Sequence, residues 1–336
     1  MARTGSKSAG KPRVHVTHSS AIVESQLVTP ARIRAHATKF PGLLSRVEFV
    51  HADDPVRLEA SLPETDILLL SGNIDLGRLR ERAPRLRWIQ SCSAGVEKVA
   101  PLIPAGITLT NASGVHGPRG GEYGMTAVLM LNSRVPAFVN NQQSARWEQI
   151  HTTPLKGKTL VLLGVGAIGG EVARLAKRFG MRVLGVTRSG KPHKSVDRMY
   201  PTKQLAQVLP KADFMLSTLP LTPETNGLVS RAMLDLLPRH AGVVNLGRGR
   251  VMDYDALMDK LRKGELAGAV LDVFYEEPLS ANSPLWATPN LIMSPHCAVD
   301  DESVYVERCL DIFLDNLKRF LAGRPLNNVV NTKLGY

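Results

Sequence analysis

Three apolar, strand-like segments in the second half of the chain each run out into side chains that can do chemistry. Val243-Val244-Asn245 leads to Leu246-Gly247-Arg248-Gly249-Arg250, Leu271-Asp272-Val273-Phe274 to Tyr275-Glu276-Glu277-Pro278, and Met293-Ser294-Pro295 to His296. A guanidinium is a planar, permanently charged fork that matches a carboxylate. A histidine exchanges its proton near neutral pH, and an acid beside it fixes which ring nitrogen carries that proton. A Pro-His pair alone is more often a satisfied loop histidine. The case for chemistry is that an arginine, an acid and a histidine leave three strands on the same side of a sheet.

A fourth strand end has a different use. Thr159-Leu160-Val161-Leu162-Leu163 runs into Gly164-Val165-Gly166-Ala167-Ile168-Gly169, and residues Glu171 to Phe179 read as an amphipathic helix. In that order of strand, turn and helix, Gly164 allows the tight turn, Gly166 lets backbone approach a pyrophosphate, and Gly169 lets the helix pack on the strand. The helix N-terminus then directs its unpaired N–H groups at the phosphates. The next strand ends Gly185-Val186-Thr187-Arg188-Ser189-Gly190-Lys191. An acid at that point would bind both ribose hydroxyls of NAD and repel a 2′-phosphate. Thr187 stands in its place, and Arg188 with Ser189 supplies a cation and a hydroxyl, so NADP is the preferred cofactor, with NAD possible.

Two alternating series of elements must position these residues. In the first half, apolar runs at Val14–Thr17, Val47–Val50, Ile67–Leu70, Leu86–Gln90 and Ile107–Thr110 make a small parallel α/β unit. In the second, six strands, Leu160–Leu163, Val183–Val186, Phe214–Ser217, Val243–Asn245, Ala269–Val273 and Leu291–Ser294, alternate with helical stretches as a doubly wound dinucleotide fold requires. The expected fold class is therefore α/β with two Rossmann-like domains, a doubly wound NAD(P)-binding domain (118–299) inserted in a smaller flavodoxin-like substrate domain (13–117 and 300–336), after a flexible tail (1–12). Between the halves Glu122–Leu131 reads as a long apolar helix preceded by a loop over Gly114–Gly121. Val304–Leu321 reads as an amphipathic helix with Glu307, Arg308, Asp311, Asp315, Lys318 and Arg319 on its wet face.

Composition narrows the class of protein. A length of 336 residues suits two domains, and 43% apolar with 21% charged residues is ordinary for a globular chain. No apolar run approaches the roughly 20 residues of a membrane span, and Met1 to Pro12 lacks the apolar stretch of a secretory signal. Cys92, Cys297 and Cys309 match no zinc or disulfide spacing, so no metal is expected and a cytoplasmic, reducing location is. The net charge of +12 gathers partly around the second dinucleotide strand, in Arg174, Lys177, Arg178, Arg182, Arg188, Lys191, Lys194, Arg198 and Lys203, where an adenosine ribose lies. No aromatic RNA-binding pattern, zinc finger or long basic helix accompanies it, and neither nucleic acid nor membrane is expected as a partner.

The ordered motifs resemble those of the D-isomer-specific 2-hydroxyacid dehydrogenases, whose N-x-x-R-G, D-V-F-x-x-E-P and P-H segments occur here at Asn245–Gly249, Asp272–Pro278 and Pro295-His296. The likeness extends to Leu219-Pro220-Leu221-Thr222-Pro223-Glu224-Thr225, Ser93-Ala94-Gly95-Val96 and Pro284-Leu285-Trp286, and so spans nearly the whole chain beyond the tail. It implies that Arg248, rather than Arg250, binds a 2-keto acid. It implies too that His296 gives a proton to the carbonyl oxygen as hydride arrives, and that Glu277, rather than Glu276, holds the other ring nitrogen and favours the charged ring. Backbone N–H groups of Ser93, Ala94, Gly95 and Val96 would hold the substrate carboxylate. Leu219, Pro220, Thr225, Leu246, Gly247 and Asp272 join Gly164, Gly166, Ala167, Ile168, Gly169, Thr187, Arg188 and Ser189 as cofactor contacts. Cys92 reads as packing, and His116 as part of the loop between domains.

The threonine-arginine-serine turn is similar to the glyoxylate/hydroxypyruvate reductase branch, which implies reduction of glyoxylate, hydroxypyruvate or another small 2-keto acid to the D-hydroxy acid. Domain closure around the substrate would exclude water. Glu122–Leu131 resembles the family's dimer contact, so a homodimer is expected. Cys297 and Val299-Asp300-Asp301 depart from the small residues often found there, which bears on substrate identity. Alternatives sharing this framework are NAD-dependent phosphoglycerate- or formate-type dehydrogenases and NAD(P)-sensing corepressor-like binding proteins.

Overall fold

A computed structural model describes residues 10–18, 24, 27–52, 55–71 and 75–332; positions 1–9 of the expected tail lie outside the described residues. The chain falls into two compact units, Met1–Val115 with Glu302–Tyr336, and His116–Asp301.

The first unit is built on five parallel strands, β1 (Arg13–His18), β2 (Glu48–Ala52), β3 (Ile67–Ser71), β4 (Trp88–Ser91) and β5 (Thr108–Thr110), in the order β2-β1-β3-β4-β5. This is the flavodoxin strand order. The central strand β3 is apolar throughout Ile67-Leu68-Leu69-Leu70, as a strand covered on both faces must be. One cover comes from far along the chain. The Tyr305–Leu321 helix places Val306, Leu310, Phe313, Leu314 and Leu317 at helical spacing in the same core as Val14, Val16, Ile67 and Trp88. Trp88 stacks between Phe313 and Phe320, with ring centroids 5.5 and 5.4 Å away.

His15 is a buried exception on β1. Its Nδ1 lies 2.8 Å from Ser61 Oγ, and its Nε2 has no partner among the described residues. Burial, reinforced by His51 on the adjacent strand, pulls its pKa down to about 4. The unfolded chain therefore binds more protons than the folded one between about pH 6.5 and 4, so this contribution to stability is complete above the unfolded value and is lost as pH falls toward 4. After allowance for solvent screening it amounts to about 2 kcal/mol. The urea midpoint should fall between pH 7 and pH 5 in the wild type and fall less in His15→Leu. Equal slopes in the two proteins would refute the assignment.

The second unit holds seven parallel strands: β6 (Thr159–Leu163), β7 (Arg182–Thr187), β8 (Arg198–Pro201), β9 (Phe214–Ser217), β10 (Gly242–Asn245), β11 (Gly268–Leu271) and β12 (Leu291–Met293). Their order is β12-β11-β10-β9-β6-β7-β8. Chain progression reverses at β6, whose neighbours are β7 and β9, and such a switch point opens a crevice at the carboxyl ends of the strands. The six strands expected from sequence become seven. The addition, β8, is short and at the sheet edge, where Pro201 costs no ladder bond, and Arg198-Met199-Tyr200-Pro201 carries no strand periodicity.

The expected loop over Gly114–Gly121 is also corrected, because a helix runs over Gly117–Asn132. Its glycines are packing surfaces against the Ala167–Arg178 helix, which itself starts four residues before Glu171. A Cβ on Gly121 would fall 2.7 Å from the Glu171 side chain, and one on Gly124 2.6 Å from Val172. Glycine here breaks nothing; it lets two helices approach. A further helix, Val135–Gln143, follows.

Candidate active site

His296 and Glu277 form a tight polar pair at the strand ends. The His296 Nδ1 lies 2.6 Å from Glu277 Oε2, while Glu277 Oε1 accepts the Phe274 N–H at 2.8 Å. Both carboxylate oxygens are engaged, so Nδ1 carries a hydrogen and Nε2 is left as the atom that can pass a proton outward. His296 has φ +52°, an uncommon conformation for a non-glycine residue and one found at sites where geometry is imposed. Its N–H donates to Ser294 O at 3.0 Å. Beside the pair is a cavity of about 600 Å³ with mostly apolar walls, including Phe274, Leu279, Trp286 and Met293.

Arg248 leaves β10 in extended conformation, and its Nη1 donates to Gly247 O at 2.8 Å. The turn that presents it is clamped by Asn245. That fully buried side chain donates to Arg248 O at 3.0 Å and to the Tyr254 hydroxyl at 3.0 Å, and accepts the Gly247 N–H at 3.1 Å. Arg250 takes another course, lying over the Tyr275 ring at 5.8 Å. His116 enters the same strand-end region. Its Nδ1 is 3.3 Å from Val299 O and 3.4 Å from Asp300 Oδ1. Burial lowers its pKa and Asp300 opposes this, while the charges of Arg248 and His296 lower it further.

Asp272 is fully buried. Its Oδ1 accepts from Ser294 Oγ at 2.6 Å, Ala298 N at 3.1 Å and Cys297 N at 3.2 Å, whereas Oδ2 has no partner among the described residues. Tyr123 supports Ser294 through a 2.9 Å hydroxyl contact. Burial pushes the Asp272 carboxyl up. A buried carboxyl oxygen without a donor is costly, and a ligand amide would satisfy it.

At the glycine turn, Gly164 has φ +87° and Gly169 approaches so closely that a Cβ would stand 2.2 Å from Gly164 O. Gly166 and Ala167 are exposed, and a Cβ on Gly166 would meet nothing within 4 Å, which leaves room for a diphosphate. Ile168 packs downward against Gly120. After β7, Thr187 Oγ1 accepts the Gly190 N–H at 3.1 Å and so shapes the turn, while Arg188 and Ser189 are exposed. Gly247 lies against the Leu219 backbone, where a Cβ would come 2.4 Å from its carbonyl oxygen. Two expected cofactor contacts have other duties. Leu246 is a core side chain, and the Thr225 hydroxyl closes its own loop on Pro220 O at 2.6 Å and Thr222 N at 2.8 Å.

The Ser93–Val96 segment belongs to the first unit and follows β4. Ser93 is exposed, Ala94 and Gly95 are half-buried, and Val96 is a core side chain that can offer a ligand only its backbone. Sequence reasoning missed Asn245, Ser294 and Tyr123 as supports. Their signal was a polar residue at the end of, or within, an otherwise apolar run.

A family model described as D-isomer specific 2-hydroxyacid dehydrogenase, NAD binding domain, matches residues 125–298. The chain belongs to this family. A glyoxylate reductase of Aeropyrum pernix is 34% identical to this dehydrogenase over 284 residues, covering 81% of this chain and 84% of the relative. Among solved structures, a D-isomer specific 2-hydroxyacid dehydrogenase from Xanthobacter autotrophicus in complex with NADPH and MES superposes with a TM-score of 0.83 at 27% identity, covering 98% and 100% of the two chains. An NADPH-dependent glyoxylate/hydroxypyruvate reductase from Sinorhizobium meliloti in complex with NADP and sulfate gives 0.79 at 28% identity, covering 97% and 100%.

This 2-hydroxyacid dehydrogenase is thus an oxidoreductase that binds a nicotinamide dinucleotide. Its residues fit that cofactor. The open cradle at Gly166 suits the diphosphate, and the orphaned Asp272 Oδ2 suits a carboxamide N–H. No helix among the described residues is long and apolar enough to cross a membrane.

Proposed function

We propose that the chain reduces a small 2-keto acid, glyoxylate or hydroxypyruvate foremost, to the D-2-hydroxy acid with NADPH in preference to NADH. The observation that carries this reading is the 2.6 Å Glu277–His296 pair at the same strand ends as Arg248 and the glycine turn. The bound cofactor supplies the hydride. Arg248 holds the substrate carboxylate and carbonyl, and Ser93–Val96 add backbone donors. His296 Nε2 gives a proton to the carbonyl oxygen, while Glu277 keeps Nδ1 protonated and orients the ring.

NADP preference rests on Arg188 and Ser189, exposed after β7 where an acid would select NAD. The test is a spectrophotometric panel of glyoxylate, hydroxypyruvate, pyruvate and phenylpyruvate with each cofactor, on wild type and Arg188→Ala. Glyoxylate and hydroxypyruvate with NADPH should give the highest kcat/KM. Arg188→Ala should raise KM for NADPH about tenfold, the loss of one charge-assisted hydrogen bond, and change KM for NADH less than about twofold. Equal effects on both cofactors would end the phosphate reading, and no oxidation with any keto acid would end the enzymatic one.

A homodimer formed through the Gly117–Asn132 helix, whose Leu129 is exposed, is the assembly we propose, and light scattering reads it directly. The free thiols of Cys92, Cys297 and Cys309 support a cytoplasmic location.

A further inference from the structure

The Ser93–Val96 segment is held from behind by its carbonyl groups. The Cys92 carbonyl accepts the Tyr305 hydroxyl at 2.5 Å and the Cys309 thiol at 3.3 Å, both from the Tyr305–Leu321 helix. Two donors use both lone pairs of that oxygen. The neighbouring Cys92 side chain, together with burial, pushes the Cys309 thiol far up, so the thiol keeps its hydrogen and remains a donor. The Ser93 carbonyl accepts the Ala112 N–H at 3.1 Å, and the Ala94 carbonyl accepts Asn111 Nδ2 at 2.8 Å. Asn111 is itself fixed, because its Oδ1 takes the Ser113 N–H at 3.1 Å.

Three consecutive carbonyls are therefore tied into the body of the unit, and the Val96 side chain is anchored in its core. The N–H groups of Ala94, Gly95 and Val96 make no hydrogen bond to the described residues. Successive backbone N–H groups left free where the chain turns are the donors that an anionic oxygen can recruit. If a peptide here turned over, a carbonyl oxygen would face the substrate carboxylate in place of a donor.

We propose that Tyr305 and Asn111 are positioning residues for substrate binding: by fixing the Cys92 and Ala94 carbonyls they preform a cradle of N–H donors for the carboxylate of the keto acid. The proposal rests on the reading of Ser93–Val96 as the substrate loop. Neither residue touches the reacting atoms. Their contribution is preorganisation, which is read in KM and inhibitor affinity rather than in the chemical step.

The test compares the full-length wild type with Tyr305→Phe, Asn111→Asp and Gly95→Pro. KM and kcat are measured for glyoxylate at saturating NADPH, with Ki for oxalate as a competing dicarboxylate and Tm for each protein. Tyr305→Phe should raise KM and Ki together by about five- to tenfold, with kcat and KM for NADPH within about twofold. Asn111→Asp keeps the acceptor for Ser113 but puts a second acceptor against Ala94 O, so its effect should be larger. Gly95→Pro removes one donor outright. If it leaves KM unchanged, Ser93–Val96 is not the carboxylate site and both readings fall. If it raises KM while Tyr305→Phe and Asn111→Asp leave KM and Ki unchanged, the positioning proposal alone is overturned. It is overturned equally if these two variants lower Tm and kcat without moving KM.

Discussion

His296→Asn is expected to lower kcat for the keto acid by about a thousandfold while leaving its KM within a fewfold, the range general acid catalysis spans. Asparagine keeps a polar side chain of similar reach but has no proton to give to a developing alkoxide. Glu277→Gln should cost less, about a hundredfold. The amide still meets a ring nitrogen, yet it exchanges a carboxylate held by Phe274 N–H for a neutral group that can present either a donor or an acceptor to Nδ1. The ring then loses its fixed tautomer, and Nε2 no longer reliably carries the proton. Steady-state rates combined with the isotope effect from 4-deuterated NADPH check this. Both variants should make the chemical step more rate-limiting, so the effect should grow. If His296→Asn keeps more than about a tenth of wild-type kcat, the proton comes from elsewhere. His116, paired with Asp300 in the same region, would be the group to test next.

The fold class was legible because parallel strands buried on both faces are predominantly apolar. Leu160–Leu163 and Ile67–Leu70 show it, and the breaks between such runs carry the turn residues. What escaped depends on neighbours distant in sequence. Arg198–Pro201 becomes a strand only because β7 offers it an edge. Gly120 and Gly121 look like a loop until the Ala167–Arg178 helix lies against them. Site residues divide in the same way. The groups proposed to meet a ligand stand at strand ends and are visible as motifs. Groups that orient them, such as Asn245 beneath the Arg248 turn and Ser294 beneath Asp272, read as unremarkable polar residues until the partners are placed. Side-chain direction is the other blind spot. Leu246 and Val96 occupy motif positions yet face the core, so a motif names a backbone segment more dependably than it names the atoms that touch a ligand.

Two arginines two positions apart make the sharpest discrimination. Arg248→Ala should reduce kcat/KM by about 10³-fold or more, since about 4 kcal/mol of charge-assisted, bidentate contact to the carboxylate and carbonyl is lost. Arg250→Ala should change it less than about threefold, because an exposed cation over an aromatic ring contributes only about 0.5–1 kcal/mol. Several observations favour this division. Arg248 is half-buried, its turn is locked by the fully buried Asn245, and its charge is felt at His116 together with that of His296. Arg250 is exposed and lies over Tyr275, whose hydroxyl is occupied by Met252 O at 2.6 Å and Tyr254 N at 2.8 Å. Arg248→Lys separates charge from geometry. An ammonium retains the positive charge but cannot bind two oxygens in a plane, so this variant should fall between wild type and Arg248→Ala, with added guanidine restoring part of the alanine variant's rate. Loss of turnover in Arg250→Ala alone would move the substrate to the other face of the turn, toward Asn226, Ser230 and Tyr275, and would separate it from the Glu277–His296 pair.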